Sequence, residues 1–146
     1  MRITYKGDYA LKAVLALSLK YGSSVVTIHD LAKDADIPIK FLEQVLLELK
    51  RGGFVDSRRG KIGGYFLVKP PHKIKIGDIV RFIDGPIEPI ACLEKGYTGC
   101  RDIYKCAFRH IWQDVSSAIS NIIDNVNFQE LAAQVNLKQQ VLTYSI

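Results

Sequence analysis

Cysteine is scarce in this chain. Of 146 residues only three are Cys, and Cys92, Cys100 and Cys106 all lie within the stretch CLEKGYTGCRDIYKC. An odd, narrowly placed set argues against a disulfide framework, and the length makes one unnecessary: a domain of this size buries about 68 to 70 % of the surface its unfolded chain exposes. Long apolar runs are missing too. The opening MRITYKGDYALKAVLALSLKYG is broken by Lys12 and Lys20 and has no small-residue cleavage site, so neither a signal peptide nor a membrane span is expected, and the chain reads as cytoplasmic with reduced thiols. No repeat, low-complexity tract or long linker is found. A phosphate loop, a Ser/His/Asp set and paired carboxylates are likewise missing, so an enzyme with a small-molecule substrate has little support.

What is present is localised positive charge. Residues 1–70 carry twelve Lys and Arg against seven Asp and Glu, whereas residues 71–146 carry eight of each. The excess peaks between Lys50 and Lys69, where Lys50, Arg51, Arg58, Arg59, Lys61 and Lys69 face only Asp56. Such a patch is either a solvated face or the footprint of a polyanion binder.

Hydrophobic rhythm places the patch on elements. A helix over Thr4–Tyr21 carries Tyr9, Ala13, Ala16 and Leu17 and stops at Gly22. Thr27 followed by Asp30 is a capping-box pattern that starts a short helix, Ile28–Ala35. A third helix is expected from Pro38, in its first turn, to residue 51; Leu42, Val45, Leu46 and Leu49 make its buried stripe, and Gly52-Gly53 ends it. Phe54–Ser57 and Tyr65–Val68 then read as a hairpin with a basic tip, and Ile76–Ile83 as another helix closed by Gly85-Pro86. The fold class is mainly α with a small β-hairpin wing: a winged helix-turn-helix over residues 1–85. A cysteine-rich loop follows over 86–106, then a long helix over 107–127. Asn127 and Glu130 cap a last helix to about Val135 within residues 128–146, which packs back on the first unit. On the long helix Phe108, Ile111, Trp112, Val115, Ile119, Ile122 and Val126 form a stripe that packs on its own domain or makes a homodimer seam; a helix this long after so small a domain favours the dimer.

In a helix-turn-helix the second helix enters the major groove of double-stranded DNA. Here its exposed face would be Ile39, Lys40, Glu43 and Gln44, with Lys50 further along. Gln bonds an adenine edge, Glu accepts from a cytosine amino group and an apolar tip meets a thymine methyl. Glu43 is alternatively a partner for its own helix surface. Arg58, Arg59 and Lys61 would reach phosphates or the minor groove, fixing register. A pure interaction module would not require that face beside a basic wing.

The cysteine spacing is C-x7-C-x5-C, wider than the C-x2-C or C-x4-C knuckles of structural zinc. It suits an iron-sulfur cluster, with zinc or free redox-active thiols as the alternatives. Five segments, MRITYKGDYAL, IPIKFLEQVLLELKRGGFV, SRRGKIGGYFLVKPP, IGDIVRFIDGPI and the three cysteines before a Trp-containing helix, carry a resemblance that runs nearly end to end. The chain resembles the bacterial winged-helix regulators that include the iron-sulfur cluster regulator, the nitric-oxide-sensing repressor, the iron-responsive rhizobial regulator and the cysteine-metabolism repressor.

That resemblance implies a homodimeric transcription factor, acting on an operator and not at a membrane, with an iron-sulfur cluster on Cys92, Cys100 and Cys106. The first gap is longer than the five-and-five spacing of several members and resembles the iron-responsive branch. For the fourth ligand the resemblance offers Asp8, supplied by the partner subunit as in the nitric-oxide branch, ahead of His110, which lies one residue beyond the place that a cluster-branch His would take. Asp8 leans towards a 4Fe-4S cluster over 2Fe-2S, and a preparation handled in air is expected to lose it. His29 and His72 read as surface residues. A cluster-free sensor of redox state or sulfide on the same fold is the competing expectation.

Overall fold

The computed structural model describes residues 2–145. Helix α1, Tyr5–Leu19, starts at Thr4, whose extended backbone lets its hydroxyl accept the Gly7 N–H at 3.0 Å. Ala10, Ala13, Val14 and Leu17, on one face, are buried, and α1 packs against α2 (Ile28–Ala35), α3 (Ile39–Arg51), α4 (Ile76–Asp84) and α6 (Phe128–Tyr144). It is the central post of the domain.

At the start of α2 the cap forms with a variation. Thr27 accepts from the Asp30 N–H at 3.2 Å, but the Asp30 carboxylate accepts from the Thr27 hydroxyl at 2.8 Å rather than from the cap amide. Asp36 ends α2 in the left-handed region, φ 53°, and turns the chain towards α3. Pro38 corrects the expectation for α3: at φ −59° and ψ 133° it is the extended cap residue before the first turn. Leu42, Val45, Leu46 and Leu49 are buried as expected. Gly52 stays helical, and Gly53, φ +74°, supplies the left-handed turn into the hairpin.

Strands β1, Val55–Arg58, and β2, Gly64–Leu67, pair antiparallel with Val55 opposite Leu67 and Ser57 opposite Tyr65. Each lies close to its expected run, shifted by one residue. A third segment holds them down: Val26 exchanges backbone hydrogen bonds with Tyr65 at 2.9 and 2.8 Å. A Cβ at Gly64 would meet the Val26 carbonyl oxygen at 2.5 Å, so this crossing needs glycine.

After α4 the chain crosses a 3-10 turn, Ala91–Leu93, and enters α5, Arg109–Ile123. Phe108 precedes α5 and Val126 follows it, so the stripe is shorter than expected. A strap of two backbone bonds, Ile76 N–H to Val126 O and Phe128 N–H to Ile74 O, both 3.1 Å, pins the start of α6 beside α4. Phe128 is fully buried. Helix α6 does not stop near Val135 but runs to Tyr144, and its second half leaves Leu137, Val141, Leu142 and Tyr144 exposed. No helix of the described residues is long and apolar enough to cross a membrane.

Candidate nucleic-acid interface and cysteine segment

Helix α3 is fixed from behind by its buried stripe and from the side by two α1 contacts. Lys6 pairs with Glu48 at 2.6 Å, and the Tyr9 ring lies 6.1 Å from that of Phe41. Its outer face carries Ile39, Lys40, Glu43, Gln44 and Lys50, all exposed. Among the described residues no ion pair or side-chain hydrogen bond engages Lys40, Glu43 or Gln44. Glu43 thus lacks the helix-surface partner that would explain it locally.

Lys50 is committed elsewhere. Its ammonium lies 3.1 Å from Asp56 and 2.9 Å from the Ser57 hydroxyl, tying the end of α3 to β1. The Ser57 N–H, with Lys50 second, holds the Asp56 carboxyl below the usual carboxylate range. Arg58 also departs from its expected place: it belongs to β1, with its guanidinium 5.4 Å from the Phe66 ring centre, and is not at the tip. Arg59 and Lys61 lie past the strand and are exposed. The tip is a four-residue turn closed by Gly63 N–H donating to Gly60 O at 3.0 Å.

All three cysteines are free; Cys92 is half-buried and Cys100 and Cys106 are exposed. Among the described residues no three His, Cys, Asp or Glu side chains come together as a metal site. From Ala91 to Phe108 no side chain is buried, and beyond the turn at Cys92 the segment has no regular element. Asp8, in the first turn of α1, pairs with Lys12 at 2.8 Å, and that hydrogen bond raises the lysine pKa. It rims an open hollow shared with Arg2, Ile3, Thr4 and Tyr5. His110 is exposed in the first turn of α5, and His29 and His72 are exposed as well.

Helix α5 has no buried residue at all. Phe108 is 66 % exposed, Ile111 47 % and Ile122 66 %; Trp112 and Val115 are exposed too, while Ile119 is half-covered. Against its own chain α5 packs only lightly, on α4 and the 3-10 turn, and so the stripe stays open. Arg81 of α4 anchors its far end, donating to both Asp124 oxygens at 2.6 and 2.9 Å and to Ser120 at 3.2 Å. A second carboxylate of α4, Asp84, accepts from Thr4 N–H at 3.1 Å and from the Thr4 hydroxyl at 2.5 Å, which fixes the N-terminus of α1. Neither Asp84 nor Arg81 was marked by any sequence pattern, because their partners lie 80 and 43 positions away.

A family model described as an iron-dependent transcriptional regulator matches residues 3–134. The chain belongs to the Rrf2 family. An Rrf2-like helix-turn-helix regulator of Rhodobacter capsulatus is 36 % identical over 147 residues, covering 96 % of this chain and 98 % of the relative. The regulator IscR of Escherichia coli is 34 % identical over 145 residues, covering 99 % of this chain and 86 % of IscR. Among solved structures CymR, the global cysteine regulator of Bacillus subtilis, superposes with a TM-score of 0.78 at 29 % identity, covering 92 % of this chain and 98 % of CymR. The winged-helix architecture is thereby shown, and this Rrf2 protein is a transcription regulator, as its relatives are, and not an enzyme.

Proposed function

We propose that this Rrf2 regulator acts as a homodimer that reads a specific DNA operator and that ligands on its cysteine segment set its affinity. The observation that carries the DNA reading is the uncommitted face of α3, Lys40, Glu43 and Gln44, beside a wing whose Arg59 and Lys61 are exposed. Gln44 and Glu43 can read base edges, and the wing cations can neutralise phosphates. The open stripe of α5 supports the dimer: an exposed row from Phe108 to Ile122 is costly in water, and a second copy related by a two-fold axis would cover it.

The donor set fits an iron-sulfur cluster. Three free thiols stand on a segment that contributes nothing to the core, so Cys92, Cys100 and Cys106 can be drawn together without disturbing buried packing. Asp8 of the partner subunit would complete the set, with His110 as the alternative, and an oxygen ligand leans towards the 4Fe-4S form. When bound, such a cluster supplies iron that reacts with nitric oxide or oxygen and is lost under iron limitation. Releasing Lys12 would be the local cost of recruiting Asp8. Because Asp8 and the Thr4 cap share the first turn of α1, a pull on Asp8 acts on the helix beside α3 and hence on the spacing of two DNA-reading heads.

A second reading rests on the free, separated thiols and on the likeness to CymR: the cysteines would sense redox state or sulfide directly, without iron. Anaerobic purification with absorption and Mössbauer spectra, combined with operator binding before and after nitric oxide, separates the two. A cluster signal that Asp8→Ala alters together with nitric-oxide sensitivity is the expected result. Protein that stays colourless and iron-free after reconstitution, yet loses operator binding on thiol oxidation, gives the second reading. Failure to select any sequence from random duplexes would overturn the DNA reading itself.

A further inference from the structure

The wing apex holds an unexplained side chain. Lys61 and Ile62 are the two central residues of the turn closed between Gly60 and Gly63, and Ile62 is 85 % exposed. A branched apolar residue is poor turn chemistry, where Gly, Asn, Asp and Ser supply the needed backbone freedom. The core gains nothing from Ile62, and the glycines on either side already satisfy the turn. The hairpin beneath is clamped through Tyr65 to Val26 and through Lys50 to α3. At about 3.3 Å per residue the four-residue strands span about 13 Å, and the turn beyond them carries the apex a few ångströms further from the base of the hairpin. Half of a ~34 Å turn of DNA, the step from a major groove to the next minor groove, is of the same size.

We infer that Ile62 is a specificity-determining residue that lies on the minor-groove floor and selects A·T pairs there. The inference rests on the proposed docking of α3 and the wing on DNA. In the minor groove A·T pairs present only acceptors beside an apolar edge, and G·C adds the guanine amino donor. Ile62 can accept no hydrogen bond. It dehydrates groove acceptors on either pair alike, so the difference lies in the amino group: on G·C that donor is also stripped of water and left unpaired, whereas A·T has apolar edge in its place. Lys61 and Arg59 beside it contribute charge and hold the apex in the groove, where A·T-rich tracts have the more negative potential. Base selection and salt dependence are thus divided between neighbouring side chains.

The test uses the full-length protein and duplexes that it selects from a random-sequence library. The base pairs under the wing are located by footprinting, then replaced as G·C or inosine·C, which lacks the amino group. Wild-type protein is expected to bind the A·T and inosine·C duplexes equally and the G·C duplex roughly tenfold more weakly, the size of an unpaired buried donor. Ile62→Ser is expected to shrink that ratio below about twofold while leaving the salt slope and the preference under Gln44 intact, and Ile62→Val is expected to keep the ratio. Retained discrimination in Ile62→Ser, inosine·C binding as weak as G·C, or operators without A·T under the wing would each overturn the inference and leave the DNA reading standing. If the library yields no operator, the DNA reading falls and takes this inference with it.

Discussion

Asp124 closes α5 with its carboxylate held by both terminal nitrogens of Arg81, at 2.6 and 2.9 Å. A carboxylate is poorly placed at a helix C-terminus, where the backbone dipole is negative, and the guanidinium offsets this. The hydrogen bonds from Arg81 are the main reason that the Asp124 carboxyl sits below its ordinary range. Its folded pKa is depressed, so the stabilisation is present above the unfolded value of about 3.9 and is lost as pH falls through the folded value.

Asp124→Asn is therefore expected to lower stability at neutral pH, and the gap to wild type is expected to close as pH drops below about 4. With both side chains around two-fifths exposed, screening limits the effect to about 0.5–1 kcal/mol. Urea unfolding at pH 7 and pH 3 measures it.

Two glycines make room for the carboxylates. A Cβ at Gly77 would overlap the Asp124 carboxylate, and one at Gly7 would overlap that of Asp84. Alanine favours helix by about 1 kcal/mol, yet Gly77→Ala and Gly7→Ala are each expected to forgo that gain and to leave the fold up to about 1 kcal/mol less stable through the displaced, partly exposed carboxylate. Asp124→Ala added to Gly77→Ala should relieve part of that loss. Thermal unfolding of the single and double variants reads both.

Base reading and phosphate contact are expected to separate by substitution. Gln44→Ala should cost about 1–3 kcal/mol at one base pair of the operator and little elsewhere. Arg59→Ala should weaken binding to all sequences and reduce the salt slope by about one. Fluorescence anisotropy across salt concentrations on matched and mismatched duplexes distinguishes them, and an Arg59→Ala variant with altered base preference and an unchanged slope would contradict this division.

The α5 stripe supports a prediction about assembly. Ile111→Asp is expected to leave the winged-helix unit folded, because Ile111 is 47 % exposed in the isolated chain, but to shift sedimentation from dimer to monomer. Operator affinity should then fall steeply, since two half-sites are no longer held together.

Local chemistry made much of this fold legible. The Thr27–Asp30 pattern, the Leu42–Leu49 stripe and the Asn127–Glu130 cap each act over three to seven residues, and each stands where its sequence places it. The misplacements have local causes as well. Arg58 reads as tip because it adjoins Arg59 and Gly60, but the pairing of Arg58 with Gly64 extends β1 by one residue. The expected end of α6 near Val135 marks where its buried face runs out, not where its helix-forming residues do. Asp84 on Thr4, Arg81 on Asp124 and Val26 on Tyr65 join distant positions, and only the folded chain brings them together. At the candidate site the face of α3 was readable from periodicity. The engagement of Lys50 with Asp56 and the pairing of Asp8 with Lys12 were not, since many rotamers of a long lysine fit one sequence.

The segment from Ala91 to Phe108 lends no buried side chain to the core. Under the proposed ligation, folding and ligand binding are separate events: the chain can reach its native packing before anything occupies its thiols. A cell would regulate the fraction of these molecules that is loaded without having to make or destroy any of them, so the response can run as fast as chemistry at an exposed sulfur allows and can be undone without new synthesis.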